Sequence, residues 1–333
     1  MTLSPEQARH IYQSDLEHQS IHETSQLKPV IQPFAGRIGG NQEIVVDRSD
    51  PQNAALLKKF PDAAPLMSFR EGAKLRGFWD LDLWRFGFIE MIGTMLLVFV
   101  TAWISVRPTM SSNTVPSSAS GIFSTTAFLG PLFGGIINWF FLTLFIFTFS
   151  NVSGSHLNPA ISIATFLARL ISFPRMAIYV LCQSIGGAIA GFTLRKAYGA
   201  SDFTCGGCVI DQSMVPMDEA FLLEFMFSLI LIFLSFGVGL DPRQGKIYGP
   251  ALSPFLVGMV LGTLSLASAF VRSGFAGACN HLTFASAAMN PARCFGVFVA
   301  TSFPTYHWIH WVGPIVASVA HGIVYYVAPP WGH

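Results

Sequence analysis

Two copies of one tripeptide stand in otherwise apolar sequence: Asn158-Pro159-Ala160, within SGSHLNPAIS, and Asn290-Pro291-Ala292, within AAMNPARCFG and followed at once by Arg293. Asn is a strong helix N-cap and Pro suits the first helical position, so each tripeptide reads as a helix start. The runs that follow, PAISIATFLARL and PARCFGVFVATSF, stay apolar for about ten residues, roughly half of what a membrane crossing needs. What two such half-helices offer is hydrogen-bond donation from the Asn amides and the partial positive charge of two helix N-termini. Bond-making chemistry is not indicated, because no nucleophile stands with a base among the apolar segments. His307 and His310 are spaced for a metal but lack a third ligand, and read as a cluster at a membrane interface; neither a metal nor a cofactor is implied. Non-helical backbone at membrane depth is tolerated only against protein or a water-filled cavity, so the approaches NVSGSHL and FASAAM should line a conduit.

The elements that must hold these half-helices are legible in the composition. Of 333 residues, 52% are hydrophobic and only 11% charged, with a mean hydropathy of +0.52, against about 25% charged residues in a soluble domain. A net charge of +1 gives no bulk attraction for nucleic acid. Six stretches can span a bilayer, near Phe86–Val106, Phe123–Phe149, Pro174–Leu194, Ala220–Leu240, Pro250–Val271 and Thr305–Ala328. Ten of the 19 basic residues precede the first of them. Arg169, Arg175, Arg243 and Lys246 fall on the same side, which predicts both termini in the cytoplasm. The tail, residues 1–83, is polar and reads as largely disordered, with Trp79 and Trp84 as interfacial anchors at its end.

A repeat underlies the spans. EMIGTMLLVFV from Glu90 matches EFMFSLILIFL from Glu224, and each is followed by Gly-Pro (Gly130-Pro131, Gly249-Pro250) and then Asn-Pro-Ala at nearly the same distance. Repeat one covers about 86–195 and repeat two about 219–328, inside a membrane domain of 84–333. Each contains three spans, an odd number, so the copies are inverted and their half-helices enter from opposite faces. The fold class is therefore an all-α membrane protein with six transmembrane helices and two re-entrant half-helices.

On HLNPA, MNPAR, the glutamates of spans one and four, LCQSIGGAIAG in span three and HWIHWVGP opening span six, the chain resembles the major intrinsic proteins, the aquaporins and aquaglyceroporins, over about Phe86–Val327. NPARC together with CGGC at Cys205–Cys208 is most similar to the X intrinsic proteins among them. The resemblance implies a passive channel for water and small neutral solutes of the glycerol, urea and hydrogen peroxide class, closed to protons and ions, in a homotetramer within the plasma membrane. It places Arg293 at an outer constriction with Asn138, Ala287 and, once Pro254 and Gly258 are matched, Ser265; Thr263 and Leu264 are register alternatives. A ring of Asn, Ser, Ala and Arg has no aromatic wall, which predicts solutes broader than water. Glu90, Glu224 and His156 are expected to brace the re-entrant loops.

Other readings are distinguishable. A secondary transporter shares inverted repeats but usually couples through midplane ionisable groups, which are few here; a water-only channel or a closed junction protein would differ in flux. Cys205, Cys208 and Cys279 fall on the extracytoplasmic side, where a disulfide bracing the loops is permitted, free thiols being the alternative. Gly130/Gly134, Gly187/Gly191 and Gly258/Gly262 are GxxxG steps that serve packing within one chain or between chains.

Overall fold

The computed structural model describes residues 33–39, 45–108, 129–269, 272–275 and 286–327. Ten α-helices are described: α1 (Ala54–Lys59), α2 (Phe69–Gly72), α3 (Leu81–Trp103), α4 (Leu129–Phe149), α5 (Pro159–Leu167), α6 (Phe173–Tyr198), α7 (Met217–Ser235), α8 (Pro242–Ala267), α9 (Pro291–Ala300) and α10 (Ile309–Val327). Five of them, α3, α4, α6, α7 and α8, are long and apolar enough to cross a membrane. The sixth span corresponds to α10, which has 19 residues and buries its polar His310, Ser318 and His321.

Helix pairing obeys the inverted repeat. α3 packs on α6, and their counterparts α7 and α10 pack on each other. The half-helix of the first repeat, α5, packs on α10, and that of the second, α9, packs on α6. α4 and α8, which correspond to each other, meet directly. Glycine makes the tightest crossings possible: a Cβ on Gly191 would strike the Gly296 carbonyl oxygen of α9, and one on Gly258 would strike Thr143 and the Trp139 carbonyl of α4. The Gly187/Gly191 and Gly258/Gly262 steps thus pack helices within one chain.

Boundaries differ from expectation in places. α7 begins at Met217, runs through Ser235 and continues as a π-turn over Phe236–Leu240. α8 starts at Pro242, capped by Asp241, and kinks where Gly249 takes φ 71° before Pro250. β1 (Val106–Pro108) and β2 (Phe203–Cys205) form a short antiparallel pair, with Val106 opposite Cys205.

The tail departs most from its composition. From Asp50 to Trp79 it forms short helical turns, and Phe34, Ala35, Arg37, Ile38, Ala63, Ala64 and Met67 are buried, where composition predicts a largely disordered segment. Its few apolar residues obey no helical period, so periodicity missed them. They are buried by the membrane domain: the Met67 N–H donates to the Arg169 carbonyl, and Arg175 Nε donates to Asp62 Oδ2 at 2.8 Å. Residues 1–32 and 40–44 lie outside the described residues.

Candidate conduit and its two mouths

The two half-helices meet end to end through their caps. The Asn158 Oδ1 accepts from the Ala160 N–H at 2.9 Å, and the Asn290 Oδ1 accepts from the Ala292 N–H at 3.1 Å, as N-caps do. Each amide Nδ2 then reaches across the repeat: Asn158 Nδ2 donates to the Met289 carbonyl at 2.8 Å and Asn290 Nδ2 to the Leu157 carbonyl at 3.0 Å. An amide carries two N–H bonds, so this link uses one per Asn and leaves one for the cavity beside it.

Those carbonyls point correctly because the residue before each Asn is left-handed. Leu157 has φ 50° and Met289 φ 53°, conformations that cost non-glycine residues free energy and need support. The glutamates give it. Glu90 accepts from the N–H groups of His156 (3.1 Å) and Leu157 (2.7 Å), from Ser153 Oγ (2.6 Å) and from Gln183 Nε2 (2.9 Å). Glu224 accepts from the N–H groups of Ala288 (3.2 Å) and Met289 (2.6 Å). His310 sits on that side too: it is buried in α10 with Nδ1 at 3.6 Å from Glu224 Oε2, not part of an interfacial cluster, whereas His307 is exposed. Among the described residues no cluster of three or more His, Cys, Asp or Glu could hold a metal ion.

One cavity runs past this junction, and its lining includes Asn158, Asn290, Asn138, Ser265, Ala287, Arg293 and Ile38 of the tail. Asn138 Nδ2 stands 3.5 Å from Ser265 Oγ, and both are buried. Of the register alternatives, Thr263 is on the exposed face of α8, and neither it nor Leu264 lines the cavity.

The far-side mouth is built around Arg293. Its guanidinium is buried, with Nη2 donating to the Gly206 carbonyl at 2.6 Å and to Ser105 Oγ at 3.3 Å, and Nη1 3.4 Å from Cys208 Sγ. Gly207 between those partners has φ 92°, and a Cβ there would strike the guanidinium, so glycine is required twice over. Cys208 and Cys294 form a disulfide, joining this loop to the first turn of α9. That corrects the expectation of a bridge among Cys205, Cys208 and Cys279: the partner is Cys294, which sequence reasoning left aside. Cys205 is buried at the end of β2, and Cys279 lies outside the described residues. Adjacency to Arg293 was the available signal, since a half-helix entering from the far face puts its first turn within reach of the far-side loop.

The tail-side mouth holds His156. Its Nε2 lies 2.6 Å from the Gly36 carbonyl, which can only accept, so Nε2 bears the hydrogen; Nδ1 faces Ser162 Oγ at 3.1 Å. His156 therefore ties the loop before Asn158 to the tail as well as bracing it.

Comparison with known proteins agrees with this geometry. A family model described as Major intrinsic protein matches residues 78–325. The probable aquaporin TIP4-1 of Oryza sativa subsp. japonica is 29% identical over 235 residues, 71% of this chain and 84% of its own length. Aquaporin TIP4-1 of Zea mays is 32% identical over 180 residues, 53% of this chain and 61% of its own. The solved aquaglyceroporin from Plasmodium falciparum superposes with a TM-score of 0.52 at 20% identity, covering 74% of this chain and 96% of that one, a likeness of fold.

Proposed function

The chain belongs to the major intrinsic protein family, and from that premise we propose that its conduit passes water and small neutral solutes of the glycerol, urea and hydrogen peroxide class while excluding protons and ions. The reciprocal bonds of Asn158 and Asn290 across the junction of two helix N-termini carry this reading. A water at that junction accepts from the remaining amide hydrogens and turns its oxygen to the positive helix ends, so its own hydrogens point away towards both mouths. A single file polarised in opposite senses cannot relay protons, and the same potential repels cations.

Breadth rests on Asn138, Ser265, Ala287 and Arg293, which line the cavity with amide, hydroxyl, methyl and guanidinium groups and bring no ring among the four. A neutral polyol or urea finds donors and acceptors there without an aromatic face to narrow the passage. The pairing of NPARC with CGGC supports placement with the X intrinsic proteins, and Cys208–Cys294 gives that pairing a physical sense. A disulfide in the far-side mouth suits a membrane whose outer side is oxidising, which supports the plasma membrane with both termini in the cytoplasm. A homotetramer fits the exposed apolar side chains of the outer faces, such as Leu144, Phe192 and Ile323.

Stopped-flow swelling and shrinking of proteoliposomes against a panel of neutral solutes tests the assignment. Downhill water and glycerol flux without proton current is expected. A proton conductance comparable to the solute flux, or dependence on a coupled ion, overturns it.

A further inference from the structure

We propose that the tail segment Phe34–Gly39 is a built-in closure of the tail-side mouth, with Ile38 as the side chain that stands in the conduit. The inference rests on the channel reading and adds a control element from outside the repeated domain. Every residue from Phe34 to Gly39 is buried. Ile38 lines the same cavity as Asn158, Asn290 and Arg293, and its side chain belongs to an apolar cluster with Leu240 and Val257. An apolar group held in a single-file passage removes the hydrogen-bonding partners that a water needs, and such constrictions close by dewetting.

The seat is made for this segment by both repeats. From the first, the Gly154 carbonyl accepts from the Ile38 N–H at 3.1 Å and His156 Nε2 donates to the Gly36 carbonyl at 2.6 Å. From the second, the Gly239 carbonyl accepts from the Gly39 N–H at 3.2 Å. Arg37 donates to the carbonyls of Ser150 (3.2 Å) and Asn151, where the chain leaves α4. Phe34 lies under two guanidinium groups, Arg37 at 4.6 Å and Arg175 at 4.2 Å from its ring centre. The fit leaves no slack: a Cβ on Gly36 would strike Thr165 and Ile171, and one on Gly39 would strike Pro254.

A segment seated by non-covalent contacts can leave its seat, and the fraction of molecules in which it has left sets the apparent permeability. Were it seated in about nine molecules of ten, removing the obstruction would raise flux about tenfold.

The test is osmotic water permeability of the full chain in proteoliposomes at matched protein density. Ile38→Gly removes the obstructing side chain and no polar contact; Arg37→Ala removes the tie to Ser150 and Asn151. Both are expected to raise permeability about tenfold, and Ile38→Trp to lower it. Should Arg37→Ala fail to fold, Ile38→Gly carries the test, its folding checked by melting temperature. Wild type and Ile38→Gly conducting equally overturns the closure and leaves the channel reading standing. A lowered melting point with unchanged flux per folded protein overturns it likewise, since that is the behaviour of a merely structural strap. No flux in wild type and variants alike overturns the channel reading, and the closure with it.

Discussion

At the midplane the two repeats are near copies in space: Leu157 and Met289 share a left-handed φ, Glu90 and Glu224 each accept from two backbone N–H groups beside them, and Asn158 and Asn290 exchange equivalent bonds. At the mouths the likeness ends. The far side is tied by the covalent Cys208–Cys294 bond against Arg293, while the tail side is covered by a segment that has no counterpart in the repeat. The difference separates two demands on the molecule. Opposed polarity at the centre requires two equivalent helix ends, so inversion constrains those residues as a pair. Nothing comparable links the two ends of the conduit, and each has its own means of holding shape.

The likeness at the centre is itself unequal in one respect, and that inequality should give the largest effect. Glu90 satisfies four donors, including Ser153 Oγ and Gln183 Nε2, whereas Glu224 satisfies two backbone N–H groups and faces His310 beyond hydrogen-bond range. Each buried donor left without a partner costs about 1–3 kcal/mol. Glu90→Leu should therefore destabilise by roughly 4 kcal/mol or more and Glu224→Leu by roughly half of that, measured by thermal unfolding in detergent. Equal losses would show that the carboxylates do not act through the donors they hold.

The covalent mouth comes next. Replacing both Cys208 and Cys294 by Ala should cost about 2–4 kcal/mol, and it should loosen the loop that carries the Gly206 carbonyl bound to Arg293. A permeability panel on the double variant should show weaker discrimination among solutes, with the tail-side variants unaffected in this respect. A lower melting point with unaltered discrimination would separate the disulfide from the Arg293 constriction.

A third effect, on selectivity more than stability, concerns the ring below that mouth. Asn138→Phe with Ser265→His narrows the cavity while leaving a polar contact for one water. Glycerol and urea flux should fall far more than water flux, since larger molecules must pass the ring whole. Thr263→His, on an exposed face of α8, should change neither. A double variant that stays folded and keeps its glycerol-to-water ratio would remove these residues from the selectivity role.

How much of this was legible depended on whether a pattern repeats. The half-helices, their caps and the paired glutamates each occur twice at matching distances, so they could be inferred from residue type and spacing. The Asn amides bonding to opposite carbonyls were not legible, because the left-handed φ of Leu157 and Met289 is a backbone state that neither residue type favours. The Cys208–Cys294 link was missed because proximity across 86 residues has no local signature. The order of the tail across residues 33–39 and 45–83 was not legible for a related reason. Arg37 donates to carbonyls of the first repeat and Asp62 accepts from Arg175 at 2.8 Å. Their burial is provided by the domain they dock on, which composition within the tail cannot register.

The smallest effect expected lies in the tail itself, and it sharpens the contrast between a covalent and a non-covalent mouth. Ser68 caps α2 through a capping box: its Oγ accepts from the Glu71 N–H at 3.2 Å, while Glu71 Oε2 accepts from the Ser68 N–H at 3.1 Å and from its Oγ–H at 2.9 Å. Those bonds from Ser68, foremost its hydroxyl, hold the Glu71 carboxyl below the usual range, with Arg48 a lesser contributor. A carboxylate whose folded value is depressed adds stability above its unfolded value, and that stability is lost as pH falls through the folded one. Acidification from about pH 6 to below the usual glutamate value of about 4.3 should therefore raise amide exchange in residues 68–74, corrected for the slower intrinsic rate. The loop around Gly206, tied by the disulfide, should show no comparable change. Ser68→Ala should remove most of this pH response and cost about 1 kcal/mol. Exchange that rises equally in residues 68–74 and in the loop around Gly206, or a response that survives Ser68→Ala, would mean that acid acts elsewhere and that α2 is not held by this cap.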